Sequence, residues 1–354
     1  MKKSFLITTG GSGGHVIPAL ILYEHLSKEA NVIITTDKRG LKYLDDEFYK
    51  CKIINTPRLD NILLLPFNMI KIIILTLKSL FLLKNKKVEK IFSTGGYMSL
   101  PLILAGKILK LEIFLLEPNQ VLGRSNKYFL SSCKKIFCYN KKIINFPKNL
   151  LNKMVIINPL VRENIYKLKS SGRVKDKFTI LIIGGSQSAS IFDMNLKNSI
   201  VNISKKKPIK IIQQTNKKNV SYLKDFYSKN NIENKIFNFE NNFENIIKDA
   251  DLCITRSGAS TLAELSVINT PFIAVPLPTS KDNHQLENAN FYKENDCCWV
   301  IDQTNFEKKI EHLLSEILTD KIDYLKKKEN LKKLNYQNTW INVNQKILEI
   351  INEN

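Results

Sequence analysis

No CxxC pair and no signal-peptide-like leader is present in this sequence of 354 residues. Its six cysteines are Cys51, Cys133, Cys138, Cys253, Cys297 and Cys298, and no histidine stands at zinc-ligand spacing from any of them. That removes a zinc ribbon or finger, and the cysteines read as reduced, mostly buried thiols of a cytosolic protein. No carboxylate pair or DxD spacing suggests a bound divalent metal, and no cofactor is expected. The start, Met1 to Thr9, lacks the long apolar stretch and small-residue cleavage site of a secreted precursor. Acidic residues are few, 33 against 54 basic ones, a formal net charge of +21. Hydrophobic residues at 44% and charged residues at 25% are ordinary for a globular chain, which excludes disorder over most of the length.

The length suits two domains rather than one core. The basic excess is uneven. Residues 1–160 carry 25 Lys and Arg against 10 Asp and Glu, and the remainder carries 29 against 23. A localised basic excess attracts phosphate-rich partners: nucleotides, anionic lipid or nucleic acid. A compositional bias toward Lys, Asn and Ile is the plain alternative.

Strand-like and helix-like segments alternate in both halves. In the first, Phe5–Thr8, Asn31–Thr36, Lys90–Ser93 and Ile113–Leu116 read as strands, with a helix through Leu20, Leu22 and Leu26. In the second, Phe178–Ile183, Lys210–Gln213, Leu252–Thr255 and Phe272–Val275 are strands, with a helix from about Ala259. Continuous apolar strands separated by helices mean α/β units with parallel sheets covered on both faces. Asn158–Pro159–Leu160 marks the join, giving domains 1–160 and 161–354. The last helix, about 340–354, is expected to pack back on the first domain. Two such domains face to face leave a cleft at the strands' carboxyl ends, where ligands bind in this fold class.

Met69–Leu83 is almost wholly apolar, interrupted by Lys71 and Lys78 and followed by Lys84, Lys86, Lys87 and Lys90. Fifteen helical residues reach about 22 Å, short of the ~30 Å hydrocarbon core. Pro66 and Asn68 are expected to stop the helix from extending backwards. Each mid-membrane lysine costs about 2.5–3.5 kcal/mol, so spanning gains nothing. An apolar helix with a basic flank instead suits the surface of anionic lipid, unless it is a domain helix partly buried in the fold.

Gly10–Gly11–Ser12–Gly13–Gly14–His15 lies between a strand and a helix. Glycines allow close backbone approach, and the helix start offers unpaired amides to an anion. The spacing is neither a dinucleotide fingerprint nor a Walker loop. His15 stands at the mouth of the turn, where a general base can act. Gly95–Gly96–Tyr97 and Glu117–Pro118–Asn119–Gln120 follow two further strands. Glu117 has three open roles there: binding a sugar hydroxyl, orienting His15 or acting as a base; the bland reading is a surface residue. In the second half, Gly184–Gly185–Ser186–Gln187 and Arg256–Ser257–Gly258–Ala259 are phosphate-type turns. Ser257, Thr261 and Glu264 share one helix face, so the helix start suits a diphosphate and Glu264 the two hydroxyls of a ribose. Asp282–Asn283–His284–Gln285 offers donors and acceptors for sugar hydroxyls.

Taken together, these motifs resemble, in order and spacing over nearly the full length, the lipid II-forming N-acetylglucosaminyltransferase family known as MurG. The resemblance implies two Rossmann-like domains facing a cleft, the GT-B arrangement. It implies UDP-N-acetylglucosamine as donor, held by the second domain, and undecaprenyl-diphosphate-linked muramyl pentapeptide as acceptor, reached through the first. On matching positions, Ser12, Gly13 and Gly14 hold the acceptor diphosphate, and His15 is the candidate base on the muramyl 4-hydroxyl. Tyr97, Glu117 and Asn119 line the acceptor side. Arg162 and Ser186 meet the donor phosphates, and Gln187 beside them is a substrate-binding residue. Glu240 stands at the uracil position. Ser257, Gly258, Ala259, Ser260, Thr261, Leu262, Ala263 and Glu264 cradle the nucleotide, with His284 and Gln285 at the transferred sugar. The resemblance also implies a peripheral place on the cytoplasmic face of the membrane. The sequence departs from the family pattern at Ser12, in Leu116–Glu117–Pro118–Asn119, at the added residue before Arg162, at Ser188 and at Glu240. A transferase of the same fold with another lipid acceptor, such as diacylglycerol, shares the donor motifs. A nucleic-acid-binding protein lacks support, because no basic-aromatic interleaving or recognised module is present, and no nucleic-acid partner is expected.

Overall fold

The computed structural model describes residues 2–44, 48–49, 51–57, 62–168, 176–184, 189–240 and 243–353. The chain divides into two compact units, Met1–Leu160 with Trp340–Asn354, and Val161–Thr339. In chain order the first unit holds β1 (Lys3–Thr8), α1 (Gly13–Leu26), β2 (Ala30–Thr36), β3 (Cys51–Ile53), α2 (Leu65–Asn85) and β4 (Lys90–Ser93). It continues with α3 (Leu100–Ile108), β5 (Glu112–Glu117), α4 (Arg124–Phe129), β6 (Lys135–Cys138) and β7 (Met154–Ile156). The second unit runs through α5 (Glu163–Tyr166), β8 (Phe178–Ile183), α6 (Ala189–Asn195), α7 (Lys197–Ser204), β9 (Ile209–Gln214), α8 (Val220–Lys229) and β10 (Glu233–Phe237). There follow α9 (Phe243–Asp249), β11 (Leu252–Thr255), α10 (Ala259–Val267), β12 (Phe272–Ala274), α11 (His284–Glu294), β13 (Cys298–Val300), α12 (Phe306–Thr319) and α13 (Lys321–Leu334). The final helix, α14 (Trp340–Asn352), returns to the first unit.

Each unit is a wholly parallel sheet. The first has the order β3-β2-β1-β4-β5-β6-β7 and the second β10-β9-β8-β11-β12-β13. Alternating side chains explain why both faces are covered. Phe5, Ile7, Phe92, Phe114 and Phe137 enter one core with α1 and α14, while Leu6, Ile91, Ile113, Leu115 and Ile136 enter the other with α3. Phe5, Phe92, Phe114 and Phe137 form a ladder across β1, β4, β5 and β6, with successive ring centroids 5.7, 5.2 and 6.0 Å apart. Contacts of this kind add about 0.5–1.5 kcal/mol per pair beyond burial. α14 is tied down by Val343, Ile347, Ile350 and Ile351 in that core and by Trp340 stacked on His25 at 3.7 Å.

Strand order positions the sites. In each sheet the order reverses between two central strands, β1 and β4 in the first and β8 and β11 in the second. Loops leaving such a pair diverge to opposite faces and open a crevice at the carboxyl ends. The turns at Gly10–His15 and Gly95–Gly96 leave one such pair, and Arg256–Gly258 leaves the other.

One expected boundary is corrected. Pro66 and Asn68 do not stop the apolar helix, because α2 spans 21 residues from Leu65. Pro66 stands in the first turn, where its missing N–H and fixed φ cost nothing. β3, β6, β7, β10 and β13 are short strands, of 3 to 5 residues, that pattern alone did not reveal.

Candidate active site

In the first unit the turn after β1 is clasped from β2. Gly11, at φ +83°, donates its amide to Asp37 Oδ1 at 2.8 Å, and Gly40 donates to the same oxygen at 3.0 Å. Arg39 Nε donates to Asp37 Oδ2 at 2.9 Å, and Arg39 Nη2 donates to the Tyr97 hydroxyl at 2.6 Å. Burial pushes the Asp37 carboxyl up, but the Gly11 amide, Arg39 and the Gly40 amide outweigh it and hold it below the usual carboxylate range. The clasp is therefore complete at neutral pH and weakens only as pH falls through that lowered value.

α1 begins at Gly13 with no side-chain cap: Ser12 is exposed and its hydroxyl bonds no amide of the first turn. The helix start is thus open to an anion. His15 Nδ1 lies 2.7 Å from the Thr94 carbonyl, at the end of β4. A carbonyl only accepts, so Nδ1 carries the proton and Nε2 keeps its lone pair. Sequence reasoning missed Asp37, Arg39 and Thr94. The polar run Asp37–Lys38–Arg39 at a strand end was a signal, but only the β1–β2 pairing puts it on the glycine turn.

Glu117 is turned inward, 2% exposed. Its oxygens accept from Asn119 N at 3.2 Å and Nδ2 at 3.1 Å, from Gly123 N at 2.7 Å and from Asn126 Nδ2 at 2.9 Å. This corrects the expectation of a catalytic or surface carboxylate: its lone pairs hold the loop from β5 to α4 together. Asn119 is half-buried beside it, and Tyr97 stands on the turn after Gly96 with Arg39 over its ring at 5.5 Å.

In the second unit, Ser257 is fully buried at the end of β11. Its amide and that of Leu277 both donate to Gln285 Oε1, at 3.2 and 3.0 Å. This fixes the amide of Gln285 and leaves its Nε2 as the group to offer a ligand. Arg256 is buried, with Nη1 donating to Val275 O at 3.0 Å and Pro276 O at 3.2 Å, and Nη2 to Gln303 Oε1 at 2.7 Å. Burial lowers its pKa below the usual guanidinium range. It braces the loop that Gln285 holds from the other side.

Gly258 needs a different explanation. Its φ of −70° and ψ of 131° suit any residue, and a Cβ there would meet nothing within 4 Å among the described residues. No feature of the fold requires glycine at this position, at the start of α10, so the open space is available to a ligand. Gly258→Ala is expected to leave the melting temperature unchanged or slightly raised, since losing glycine favours the folded chain by about 0.4–1 kcal/mol. The same variant is expected to bind UDP at least about tenfold more weakly in calorimetric titration, from overlap with the phosphates. Undiminished UDP affinity would show that the space is unused.

Glu264 is 3% exposed and is gripped by Arg162, with Nε to Oε1 at 2.7 Å and Nη2 to Oε2 at 3.0 Å. Arg162, expected at the donor phosphates, is thus turned to Glu264, with its guanidinium 5.5 Å from the Phe243 ring centroid. Ala259, Ser260 and Thr261 form the half-buried first turn of α10. Leu262 and Ala263 are corrected: both side chains lie in the core, and the Leu262 amide is bonded to Gly258 O at 3.0 Å, which leaves neither side chain nor that amide for a nucleotide. Glu240 pairs with Lys235 at 2.9 Å, and His284 Nδ1 donates to Lys281 O at 2.7 Å. Ser186 and Gln187 lie outside the described residues.

Residues 5–138 match the glycosyltransferase family 28 N-terminal domain, and residues 179–339 match the family 28 C-terminal domain. A protein of Pelagibacter ubique, named UDP-N-acetylglucosamine–N-acetylmuramyl-(pentapeptide) pyrophosphoryl-undecaprenol N-acetylglucosamine transferase, is 48% identical over the whole of both chains. The chain belongs to the MurG branch of glycosyltransferase family 28. A MurG-branch relative in Rickettsia canadensis, with the same printed name, is 37% identical over 91% of this chain and 92% of its own. Among solved structures, Acinetobacter baumannii MurG has a TM-score of 0.77 at 22% identity, covering 99% of each chain. A UDP-N-acetylglucosamine 2-epimerase of Neisseria meningitidis, solved with UDP-N-acetylglucosamine bound, has a TM-score of 0.70 at 14% identity over 99% of this chain and all of its own. The fold of the MurG-branch chain is thus GT-B, as the resemblance implied, built from two parallel α/β units, as the patterning implied.

Proposed function

We propose that this family 28 glycosyltransferase moves N-acetylglucosamine from UDP-N-acetylglucosamine to the 4-hydroxyl of undecaprenyl-diphosphate-linked N-acetylmuramyl pentapeptide, converting lipid I to lipid II in peptidoglycan synthesis. The relatives' shared name supports the substrates. The observation that carries the chemistry is His15, whose Nδ1 is committed to the Thr94 carbonyl at 2.7 Å. Nε2 is then the proton acceptor on the rim of the glycine turn. As the acceptor oxygen bonds to the anomeric carbon, the bond to the diphosphate breaks, its electron pair leaves with UDP, and the proton passes to Nε2. A single displacement inverts the anomeric centre. The open start of α10 at Gly258 stabilises the departing diphosphate, and Gln285 Nε2 and His284 stand near for the sugar. Ser12, Gly13 and Gly14 take the acceptor diphosphate. Transfer of labelled sugar to a lipid I analogue tests this reading, with diacylglycerol in parallel. Folded protein that forms no disaccharide product, or prefers diacylglycerol, overturns it.

The acceptor's lipid gives α2 its place. Its buried line is Ile72, Thr76, Ser79 and Leu83, and both hydroxyls are satisfied within the helix, by Ile72 O and Leu75 O at 2.8 Å each. Phe67, Ile70, Ile73, Ile74, Leu77 and Phe81 are exposed, Phe81 by 69%. The helix thus buries two aliphatic and two hydroxyl side chains and exposes many of its apolar ones, with exposed Lys71, Lys78, Lys84, Lys86 and Lys87 around it. It is long and apolar enough to cross a membrane. However, α2 is the crossover between β3 and β4, strands of one parallel sheet. Spanning would put those strands on opposite sides of the bilayer, so α2 lies on the cytoplasmic surface of an anionic membrane instead. Replacing both Leu77 and Phe81 by glutamate is expected to lower binding to phosphatidylglycerol vesicles more than about tenfold, since each buried side chain is worth about 1.5–3 kcal/mol. UDP affinity stays unchanged. Vesicle co-sedimentation equal to wild type removes α2 from the membrane.

A further inference from the structure

Asn126 lies on α4 and is 2% exposed. Its Nδ2 donates to Leu116 O at 3.0 Å and to Glu117 Oε2 at 2.9 Å. Both partners only accept, so the amide cannot be flipped: the nitrogen must face them and the oxygen must face away. That oxygen, Oδ1, is buried and has no hydrogen-bond partner. A buried acceptor left without a donor costs about 1–3 kcal/mol, and such a group calls for an explanation. The explanation is beside it. Gly95, at φ +89°, carries no side chain, and a Cβ there would lie 3.3 Å from His15 Cε1, 3.5 Å from His15 Nδ1 and 3.5 Å from Asn126 Oδ1. The imidazole edge and the orphan oxygen therefore border one methyl-sized space.

We propose that Glu117 and Asn126 are positioning residues that act through His15. Glu117, anchored by Gly123 and Asn119, fixes the Asn126 amide. The negative end of that amide faces the edge of the ring that becomes positive when His15 takes the acceptor proton. The Thr94 carbonyl does the same at Nδ1, so two oxygens are set in advance around the developing imidazolium. Neither residue accepts the proton. It goes from the acceptor hydroxyl to His15 Nε2 and from there to solvent. This role rests on the proposed function, but the influence of Asn126 on the His15 ring is testable without substrate.

In ligand-free protein the His15 ring resonances, identified by their loss in His15→Gln, are expected to move in both Asn126→Leu and Glu117→Gln. In transfer assays each substitution is expected to lower kcat at least about tenfold. KM for UDP-N-acetylglucosamine stays within about twofold, as expected for a contribution made in the transition state. In a His15→Ala background neither substitution has any further effect, because residues that act through one group are not additive. Losses that add in the double variants, or His15 resonances that stay in place, overturn the proposal. Melting temperatures establish that each variant is folded, and Glu117→Gln, which keeps size and an acceptor oxygen, carries the test if Asn126→Leu does not fold. A wild-type protein without transferase activity would overturn the proposed function, while the resonance shifts would still decide whether Asn126 faces His15.

Discussion

His15→Ala lowers turnover of a lipid I analogue by about 10²- to 10⁴-fold, the range over which a positioned general base acts. The expectation rests on one bond. The Thr94 carbonyl takes the Nδ1 proton at 2.7 Å, which holds the ring in a single tautomer with Nε2 as acceptor. The rest of the Gly10–His15 turn is glycine and Ser12, and Glu117 is closed off by its four donors. UDP-N-acetylglucosamine affinity in the variant is expected to match wild type, because the donor motifs lie in the second unit. His15→Gln separates shape from chemistry: glutamine keeps a polar side chain but does not act as a base, so its rate falls with the alanine variant. A variant that keeps its fold and more than about half its turnover excludes His15 as the base.

Glu264→Ala raises KM for UDP-N-acetylglucosamine by about 10²-fold, because two hydrogen bonds to a charged acceptor are lost, each worth about 1.5–3 kcal/mol before non-additivity. Arg162 uses one lone pair on each carboxylate oxygen, and the second lone pair of each is the acceptor we propose for the vicinal hydroxyls of a ribose. Folding is expected to suffer less than binding, since the Arg162 side chain is 29% exposed and regains water when its partner goes. Glu264→Gln keeps one acceptor oxygen and loses less. Arg162→Ala resolves the remaining question about that arginine. If it serves to aim Glu264, the double variant binds donor no worse than Glu264→Ala; if it also touches phosphate, the losses add. Steady-state KM for the donor, with UDP titration as a check, reads all four proteins. A Glu264→Ala variant with unchanged donor KM removes the ribose contact.

Much of the fold was legible because parallel strands buried on both faces are continuous apolar runs. Lys90–Ser93, Phe178–Ile183 and Leu252–Thr255 have the ends that pattern assigned. The strands that escaped, such as Lys135–Cys138, are too short to show a run and exist because a neighbouring strand supplies their hydrogen bonds. The glycine turns were also legible, since glycine runs between a strand and a helix mark backbone of positive φ, which Gly10, Gly11, Gly95 and Gly96 adopt. The partners of the site were not. Asp37 and Arg39 are 26 and 28 positions from Gly11, and Thr94 is 79 from His15. They meet because β2 and β4 flank β1, and that adjacency is a property of the sheet rather than of any local pattern.

The sequence by itself determined where a strand turns into a helix, at Gly10–His15 and at Arg256–Gly258, because glycine and helix-start chemistry are local. It also determined that a carboxylate would stand at positions 117 and 264. Only the tertiary structure decided what each of these does. Burial and the four donors around Glu117 make it an anchor, the Arg162 fork grips Glu264, and the described residues leave the space beside Gly258 open. A side chain's role depends on which atoms surround it and whether water reaches it. For these residues that is settled by strands and helices brought together from distant parts of the chain.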